Sequence, residues 1–155
     1  MPEQGDLAPD FTLPAAGADA ETVTLSDLRG SPVVLFFYPK DDTPGCTNEA
    51  KEFSTMLDEF TEAGIRVFGI SRDSIAKHGK FRAKHDLTVP LLSDEEGGVT
   101  EAYGVWVEKS MYGKTYMGIE RSTFLIDADG RIAKVWRKVK VPNHGMNVRG
   151  SALAL

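Results

Sequence analysis

Cys46 is the residue whose position in the sequence points most directly to chemistry. It is the only cysteine among 155 residues, and it ends the turn Asp-Asp-Thr-Pro-Gly-Cys that follows the apolar run from Val33 to Tyr38. Beyond it, apolar residues recur at helical spacing, which predicts that Cys46 lies in the first turn of an amphipathic helix. Unpaired backbone N–H groups and the positive end of the helix dipole favour the nucleophilic thiolate there.

The turn before Cys46 supplies further groups for a reaction. Thr43, three residues upstream, carries a hydroxyl that can donate and accept hydrogen bonds beside the sulfur. Pro39 and Pro44 stiffen the approach and lack backbone donors. The competing interpretation is that Cys46 is a small buried hydrophobe, since free cysteine is among the most buried residue types. A polar Pro/Gly turn is a poor place for a structural cysteine, so a reactive thiol is favoured.

The overall composition excludes several classes of function. The net charge of −5 and the sequence pI near 5.2 argue against nucleic-acid binding, which requires a concentrated basic surface. The start of the chain lacks the pattern of a signal peptide, and its longest apolar run is too short to cross a bilayer. A single cysteine cannot build an intramolecular disulfide framework, so a reducing, cytoplasmic setting is expected. The length predicts one compact domain over residues 1–155.

Histidine-based chemistry is not expected from this sequence. His78, His85 and His144 are too scattered for a metal-ligand spacing, and none is marked as the base of a Cys/His hydrolase. His78 and His85 fall seven residues apart on a predicted helix, where we expect them to share a solvated face. No metal and no cofactor are predicted.

Strands and helices alternate along the chain, which is typical of an α/β fold. Two short strands near the N-terminus precede a helical turn that we expect Ser26 to cap and Gly30 to end. The later predicted elements are a buried central strand at 33–38, the Cys46 helix up to Gly64, a strand at 65–71, a helix at 73–85, a strand at 88–94 and a hairpin over 121–139. Residues 106–120 show no clear period and predict a loop or irregular strand. The glycine-containing segment 143–155 departs from an apolar helical ending.

The residues from Pro39 to Cys46 resemble the Pro-x-x-x-Thr-x-x-Cys signature of peroxiredoxins. The longer string FFYPKDDTPGCTNEA is similar to the bacterioferritin-comigratory-protein, or PrxQ-type, branch of that family, and the blocks APDFTLP, VPLLSD and GIERSTFLID fall in family order. The resemblance implies a thioredoxin-like fold, with a central mixed β-sheet flanked by helices and an N-terminal β-hairpin extension. It also implies a thiol peroxidase of antioxidant defence, which reduces hydrogen peroxide and organic hydroperoxides.

The same resemblance implies roles for individual residues. Cys46 matches the peroxidatic cysteine, Thr43 the threonine that hydrogen-bonds the peroxide, and Pro39 the proline that shields the sulfur. The backbone N–H groups of Gly45 and Cys46 would help to hold the substrate oxygens. Arg121 matches the family arginine, whose fixed positive charge stabilises the thiolate and polarises the O–O bond.

Glu49, one helical turn after Cys46, has two open interpretations. It is expected either to orient Arg121 through a salt bridge or to be a good helix-former on an exposed first turn. The sequence alone does not decide between them.

The sequence departs from the branch at one position. Many members carry a resolving cysteine five residues after the peroxidatic one, where this chain has Lys51. The expected cycle is therefore of the one-Cys type, in which an external thiol resolves the sulfenic acid. Candidate reductants are thioredoxin, glutaredoxin with glutathione, or another low-molecular-weight thiol.

A second class of function stays open from the sequence. The chain could be a thioredoxin-fold binding or chaperone-like module, or a peroxide sensor, that kept the motif without peroxidase turnover. The resemblance implies a monomer or weak homodimer in either case.

Overall fold

The computed structural model of the chain describes residues 2–155. The strands of the main sheet are β1 (Thr12–Ala16), β2 (Thr22–Thr24), β3 (Val33–Phe37), β4 (Arg66–Ser71), β5 (Leu91–Ser93), β8 (Ser122–Ile126) and β9 (Ile132–Trp136). A separate hairpin consists of β6 (Trp106–Met111) and β7 (Lys114–Ile119). The helices are α1 (Pro44–Thr55), α2 (Leu57–Glu62), α3 (Ile75–His85), α4 (Gly98–Ala102) and α5 (His144–Leu153). None of the helices in the described part of the chain is long and apolar enough to span a membrane.

The central strand β3 organises the fold. All five of its residues are buried, and it pairs in parallel with β4 and antiparallel with β8. Leu35 and Phe37 enter one apolar cluster, whereas Val34 and Phe36 enter a second cluster on the opposite face. Burial on both faces explains the unbroken apolar sequence, and the predicted central strand is confirmed.

The remaining strands extend this core into a mixed sheet in the order β2-β1-β5-β4-β3-β8-β9. The neighbouring strands β3, β4 and β5 are parallel, and α1, α2 and α3 occur in the connections between them. The N-terminal β1–β2 hairpin joins the sheet because β1 pairs antiparallel with β5. The predicted mixed sheet flanked by helices is confirmed, as is the C-terminal hairpin of β8 and β9.

The segment 106–120 is a regular β-hairpin, so its prediction as a loop or irregular strand is wrong. The strands β6 and β7 pair antiparallel from Trp106 opposite Ile119 to Met111 opposite Lys114. The two turn residues, Tyr112 and Gly113, have φ angles of 53° and 78°, as a tight two-residue hairpin turn requires. Most residues of both strands are exposed or half-buried, so no apolar alternation marks them in the sequence.

Several helix boundaries also differ from those predicted. The helix expected to run to Gly64 is interrupted at Met56, which separates α1 from α2. Ser26 does not cap the helical turn before β3 but lies inside a 3-10 turn, Leu25–Leu28, where its backbone N–H donates to the Asp10 carboxylate at 2.8 Å. The short helix α4 carries too few residues to give a periodic signal.

The C-terminal segment forms the helix α5, contrary to the prediction drawn from its glycines. Gly145 permits the helix to pack closely on α1, because a Cβ atom at this position would lie 2.6 Å from the side chains of Glu52 and Met56. The glycine that argued against a helix therefore lies where the helix packs against the side chains of α1.

The two histidines of α3 do not share a solvated face, so that prediction is wrong as well. The side chain of His78 is completely buried, whereas that of His85 is 19% exposed. His78 is covered by the turn that precedes α1 and by β5, and it hydrogen-bonds to both.

His144 anchors the start of α5. It is buried, its Nε2 lies 2.8 Å from the hydroxyl of Thr123 on β8, and its ring contacts Phe53 and Trp136 edge-on. Burial lowers the pKa of His144 to about 4, and the positive charge of Arg121 acts in the same direction. The imidazole is therefore neutral in the folded protein at neutral pH.

Replacing His144 with Gln should reveal this buried neutral histidine in the pH dependence of stability. At pH 7.5 the variant should lose about 1 kcal/mol of unfolding free energy with the hydrogen bond. Unfolding frees His144 to bind a proton below its ordinary pKa of 6.5, whereas in the folded protein it does so only below about 4. Wild-type stability supplied by the neutral histidine is thus lost as pH falls from about 6.5 to 4.

Urea unfolding of both proteins between pH 7.5 and 4 measures this difference. Other titrating groups are common to the two proteins, so their contributions cancel. The stability gap should close and then reverse as pH falls to 4, because the wild type loses about 1.4 kcal/mol for each unit by which folding lowers the pKa of His144. A gap that stays constant would contradict a buried neutral His144.

Candidate active site

Cys46 lies in the first turn of α1, as the sequence predicts. The helix begins at Pro44, whose fixed φ suits the first helical position, and Thr43 is the residue at its N-terminal boundary. The N–H of Thr47 donates to the Thr43 carbonyl at 2.8 Å and is the first to make the regular helical bond. The N–H groups of Gly45 and Cys46 precede it, so the helix itself offers them no partner.

The side chain of Thr43 does not cap the helix. Its hydroxyl donates instead to the carbonyl oxygen of Lys40 at 2.9 Å, which closes the turn before α1. A hydroxyl that donates its proton in this way keeps its lone pairs free to accept a hydrogen bond. The turn therefore holds an acceptor, the Thr43 oxygen, next to the start of α1.

Arg121 reaches the same place from the start of β8. It directly precedes β8, and the antiparallel register places Ser122 opposite Phe37 at the end of β3. Its Nη2 donates to the Cys46 sulfur at 3.2 Å. A Cβ atom at Gly45 would lie only 3.3 Å from this nitrogen, so glycine leaves room for the guanidinium.

Glu49 holds the other side of the guanidinium. Its Oε1 accepts a hydrogen bond from Nη1 of Arg121 at 2.6 Å, and only 1% of the residue is exposed. Its interpretation as an exposed helix-former is therefore wrong. Arg121 thus bridges two residues of α1 that lie one helical turn apart.

The electrostatics of the bridge balance burial against charge. Burial raises the pKa of Glu49 to about 7, although the neighbouring Arg121 acts to lower it. Burial acts to lower the pKa of Arg121, but the interactions of the guanidinium with Glu49 and Cys46 outweigh burial and raise that pKa. The guanidinium consequently stays charged at every relevant pH, and it is the permanent cation beside the sulfur.

Pro39 lies in the wall of a groove whose lining includes none of Cys46, Glu49 and Arg121. The groove has a volume of about 450 Å³ and is also lined by residues of the β6–β7 hairpin, including Trp106, Lys109 and Ile119. Burial lowers the pKa of Lys109, and Arg121 acts in the same direction. Sequence reasoning missed Lys109, because the hairpin that carries it was predicted as a loop.

The sulfur of Cys46 is almost completely enclosed. Only 1% of Cys46 is exposed, whereas Lys51, where many relatives place a second cysteine, is exposed on α1. The chain contains no other cysteine. A disulfide within one molecule is therefore impossible.

Known proteins resemble this chain over most of its length. Residues 4–135 match the model of the AhpC/TSA family. Peroxiredoxin Bcp of Bacillus subtilis is 54% identical over 142 residues, which are 92% of this chain and 89% of that protein. Peroxiredoxin Bcp of Escherichia coli is 49% identical over 140 residues, covering 90% and 88% of the two chains.

Solved structures give the same result for the fold. A cysteine-to-serine variant of Xylella fastidiosa PrxQ superposes with a TM-score of 0.91 at 41% identity, covering 99% of this chain and 97% of the other. The bacterioferritin comigratory protein of Xanthomonas campestris, studied for its alkyl peroxide reduction activity, gives a TM-score of 0.86 at 42% identity, covering 93% and 90%. These neighbours confirm the predicted thioredoxin-like fold.

A buried thiol at a helix N-terminus, an arginine in contact with it and these similarities lead to one conclusion. The chain belongs to the AhpC/TSA family, in its Bcp/PrxQ branch of peroxiredoxins, and it is a thiol-dependent peroxidase that lacks a resolving cysteine.

Proposed function

We propose that Cys46 is the peroxidatic nucleophile and that Thr43, Arg121, Pro39 and the N–H groups at the start of α1 form its substrate site. The observation that carries the proposal is the 3.2 Å contact between the Arg121 guanidinium and the Cys46 sulfur. This contact places a permanent positive charge beside the atom that has to react as an anion.

In the first step, the Cys46 thiolate attacks the terminal oxygen of the peroxide. An S–O bond forms while the O–O bond breaks, so the sulfur is oxidised by two electrons and the peroxide is reduced. Water or an alcohol leaves after the departing oxygen takes up a proton. Arg121 stabilises the negative charge that moves onto that oxygen.

The surrounding groups hold the peroxide in line for this attack. The Thr43 oxygen accepts a hydrogen bond from the peroxide O–H, and the N–H groups of Gly45 and Cys46 donate to its oxygens. Pro39 supplies an apolar wall without a competing N–H donor. Glu49 acts through Arg121 by fixing the plane of the guanidinium.

In the second step, an external thiol attacks the sulfenic acid and releases water, which leaves a mixed disulfide on Cys46. A second thiol then restores the thiolate and departs as a disulfide. A low-molecular-weight thiol, a glutaredoxin with glutathione, or a thioredoxin would serve. The enclosure of Cys46 favours the smaller reductants, because a protein thiol would require the first turn of α1 to move.

We infer that the working unit is a monomer or weak homodimer. The residues assigned to the reaction all come from one chain, so a second copy is not required to complete the site.

Sulfenic-acid trapping tests the assignment of Cys46. One equivalent of peroxide with dimedone should label wild-type protein rapidly, as read by intact mass, and should leave Cys46→Ser unlabelled. Adding glutathione, glutaredoxin or thioredoxin in separate reactions should restore the free thiol and identify the reductant. Labelling no faster than that of free cysteine would instead favour a binding module that has lost turnover.

Replacing Arg121 with Lys tests the role of the planar guanidinium. Lysine keeps the positive charge but cannot donate to the Cys46 sulfur and the Glu49 carboxylate together. The second-order rate constant with peroxide should fall about 100-fold, which is typical for losing one charge-stabilising donor. Stopped-flow measurement of Cys46 oxidation provides the readout. A rate within twofold of wild type would show that charge alone suffices.

Replacing Glu49 with Gln separates activity from stability. Ionising Glu49 tightens its hold on Arg121, so the peroxide rate, divided by the rate of alkylation with iodoacetamide, should rise through about pH 7 in wild type and stay flat in the variant. The folded-state pKa lies above the ordinary value of 4.5, so wild type loses stability as pH rises from 4.5 to 7.

Glu49→Gln should therefore be the more stable protein above pH 7 and the less active one. Urea unfolding and the rate ratio, measured from pH 5 to 8, check both parts. A wild-type ratio without a step near pH 7 would contradict the proposed role of the carboxylate.

A further inference from the structure

A buried polar cluster lies behind the turn that leads to Cys46. It consists of Tyr38, Asp41, Ser71, Asp73 and His78, each less than 10% exposed. None of these residues has a part in the reaction as described above. Tyr38 and Asp41 belong to the segment that joins β3 to α1, whereas the other three come from the end of β4, the loop after it and α3.

Asp41 is the centre of this cluster, because both of its carboxylate oxygens have a hydrogen-bond partner. Its Oδ1 accepts from the Tyr38 hydroxyl at 2.6 Å, and its Oδ2 lies 2.6 Å from Nδ1 of His78. Its backbone N–H donates to Oδ2 of Asp73 at 2.8 Å, and Asp73 also accepts from the Ser71 hydroxyl at 2.6 Å. Both the side chain and the backbone of Asp41 therefore hold the turn before α1 in place.

The hydrogen-bond pattern defines the protons that His78 and Asp41 share. Nε2 of His78 lies 2.8 Å from the carbonyl oxygen of Leu92, which can only accept, so Nε2 carries a proton. Nδ1 faces a carboxylate oxygen at 2.6 Å, and two acceptors would repel at that distance. One further proton therefore lies between His78 and Asp41, and the pair is neutral as a unit.

The geometry does not favour a metal ion at this place. Asp41, Asp73 and His78 have ligand atoms within 4.8 Å of one another, but the carboxylate oxygens that face the cluster already accept hydrogen bonds. A cation would have to displace those donors. The hydrogen bonds therefore serve to hold the turn before α1 against β4 and α3.

The next residue of the same turn offers an exposed contact of the same chemistry. Asp42 has a φ of 60° and lies 2.6 Å from Lys84 and 2.7 Å from His85 of α3. Its side chain is 43% exposed, and exposed pairs of this kind contribute little. Asp41 and Asp42 therefore both contact α3 through a carboxylate, and the contact of Asp41 is buried whereas that of Asp42 is exposed.

We propose that His78 is a positioning residue for peroxide reduction, acting through Asp41 on the turn that carries Pro39 and Thr43. The inference rests on the proposed roles of those two residues. Thr43 follows Asp41 by two positions, and its hydroxyl is bonded to Lys40, which precedes Asp41. A shift of Asp41 thus moves the peroxide-binding oxygen relative to the sulfur, while Cys46 itself stays anchored by α1 and Arg121.

The test compares two reactions of the same thiol. Iodoacetamide reports the availability of the thiolate and needs no placement by Thr43, whereas peroxide requires the aligned site. Both rate constants are measured only on variants that circular dichroism and urea unfolding show to be fully folded, because iodoacetamide also alkylates the exposed thiol of an unfolded chain. A fall in the ratio of the peroxide to the iodoacetamide rate constant is therefore the signature of mispositioning, which a merely structural residue would not produce.

Four substitutions give the expected pattern. Asp41→Ala and His78→Gln break the contact between the two side chains, and each should lower the peroxide-to-iodoacetamide ratio about tenfold or more. Asp41→Asn should retain most of the ratio, because its amide can donate to a neutral His78 and its oxygen can still accept from Tyr38. His85→Asn removes one of the two exposed contacts of Asp42, leaves that with Lys84, and should keep the ratio within twofold of wild type.

Tyr38→Phe provides a milder test in case Asp41→Ala and His78→Gln do not fold. It removes only the hydroxyl that holds the second oxygen of Asp41, and it should lower the ratio by a smaller factor of about threefold. A folded Asp41→Ala, His78→Gln or Tyr38→Phe protein with the wild-type ratio would overturn the inference. Equal impairment of Asp41→Asn and Asp41→Ala would also overturn it. A slow peroxide reaction in wild type itself would instead refute the proposed function.

Discussion

The Arg121 guanidinium, held between the Cys46 sulfur and the Glu49 carboxylate, is the interaction on which the rest of the site depends. It joins the first turn of α1 to the beginning of β8, two elements that meet only because both border the end of β3. The sheet register therefore has a chemical consequence. A shift of one residue in the pairing of β3 with β8 would turn Arg121 towards the other face and leave the thiol without its cation.

This arrangement places charge where burial opposes it. Glu49 is enclosed, and its Oε2 has no hydrogen-bond partner among the described residues. A carboxylate in that setting costs folding free energy, which the packing of α1 against the sheet offsets. Groups that the fold alone would not select are common at sites of catalysis, which agrees with the role proposed for Glu49.

Sequence reasoning succeeds here where local pattern and tertiary environment agree. The run that forms β3 is apolar throughout because both of its faces are buried, and the position of Cys46 follows from a turn that ends at a helix. The hairpin of β6 and β7 was not predicted as regular strands, because its exposed strands carry no apolar alternation.

The burial of Glu49 and His78 could not be deduced either. Each depends on a partner far away in the sequence, Arg121 for the first and Asp41 for the second. Helical spacing identifies which residues share a face of a helix, but not which face another part of the chain will cover.

The separation between Cys46 and Arg121 in the sequence has a consequence for the synthesis and folding of the chain. The two contacting residues lie 75 positions apart, so Arg121 is synthesised only after the residues of β4, β5 and the β6–β7 hairpin. A nascent or unfolded chain lacks both the neighbouring charge of Arg121 and the oriented N–H groups at the start of α1. Under the proposed mechanism, fast reaction of Cys46 with peroxide therefore requires the completed fold.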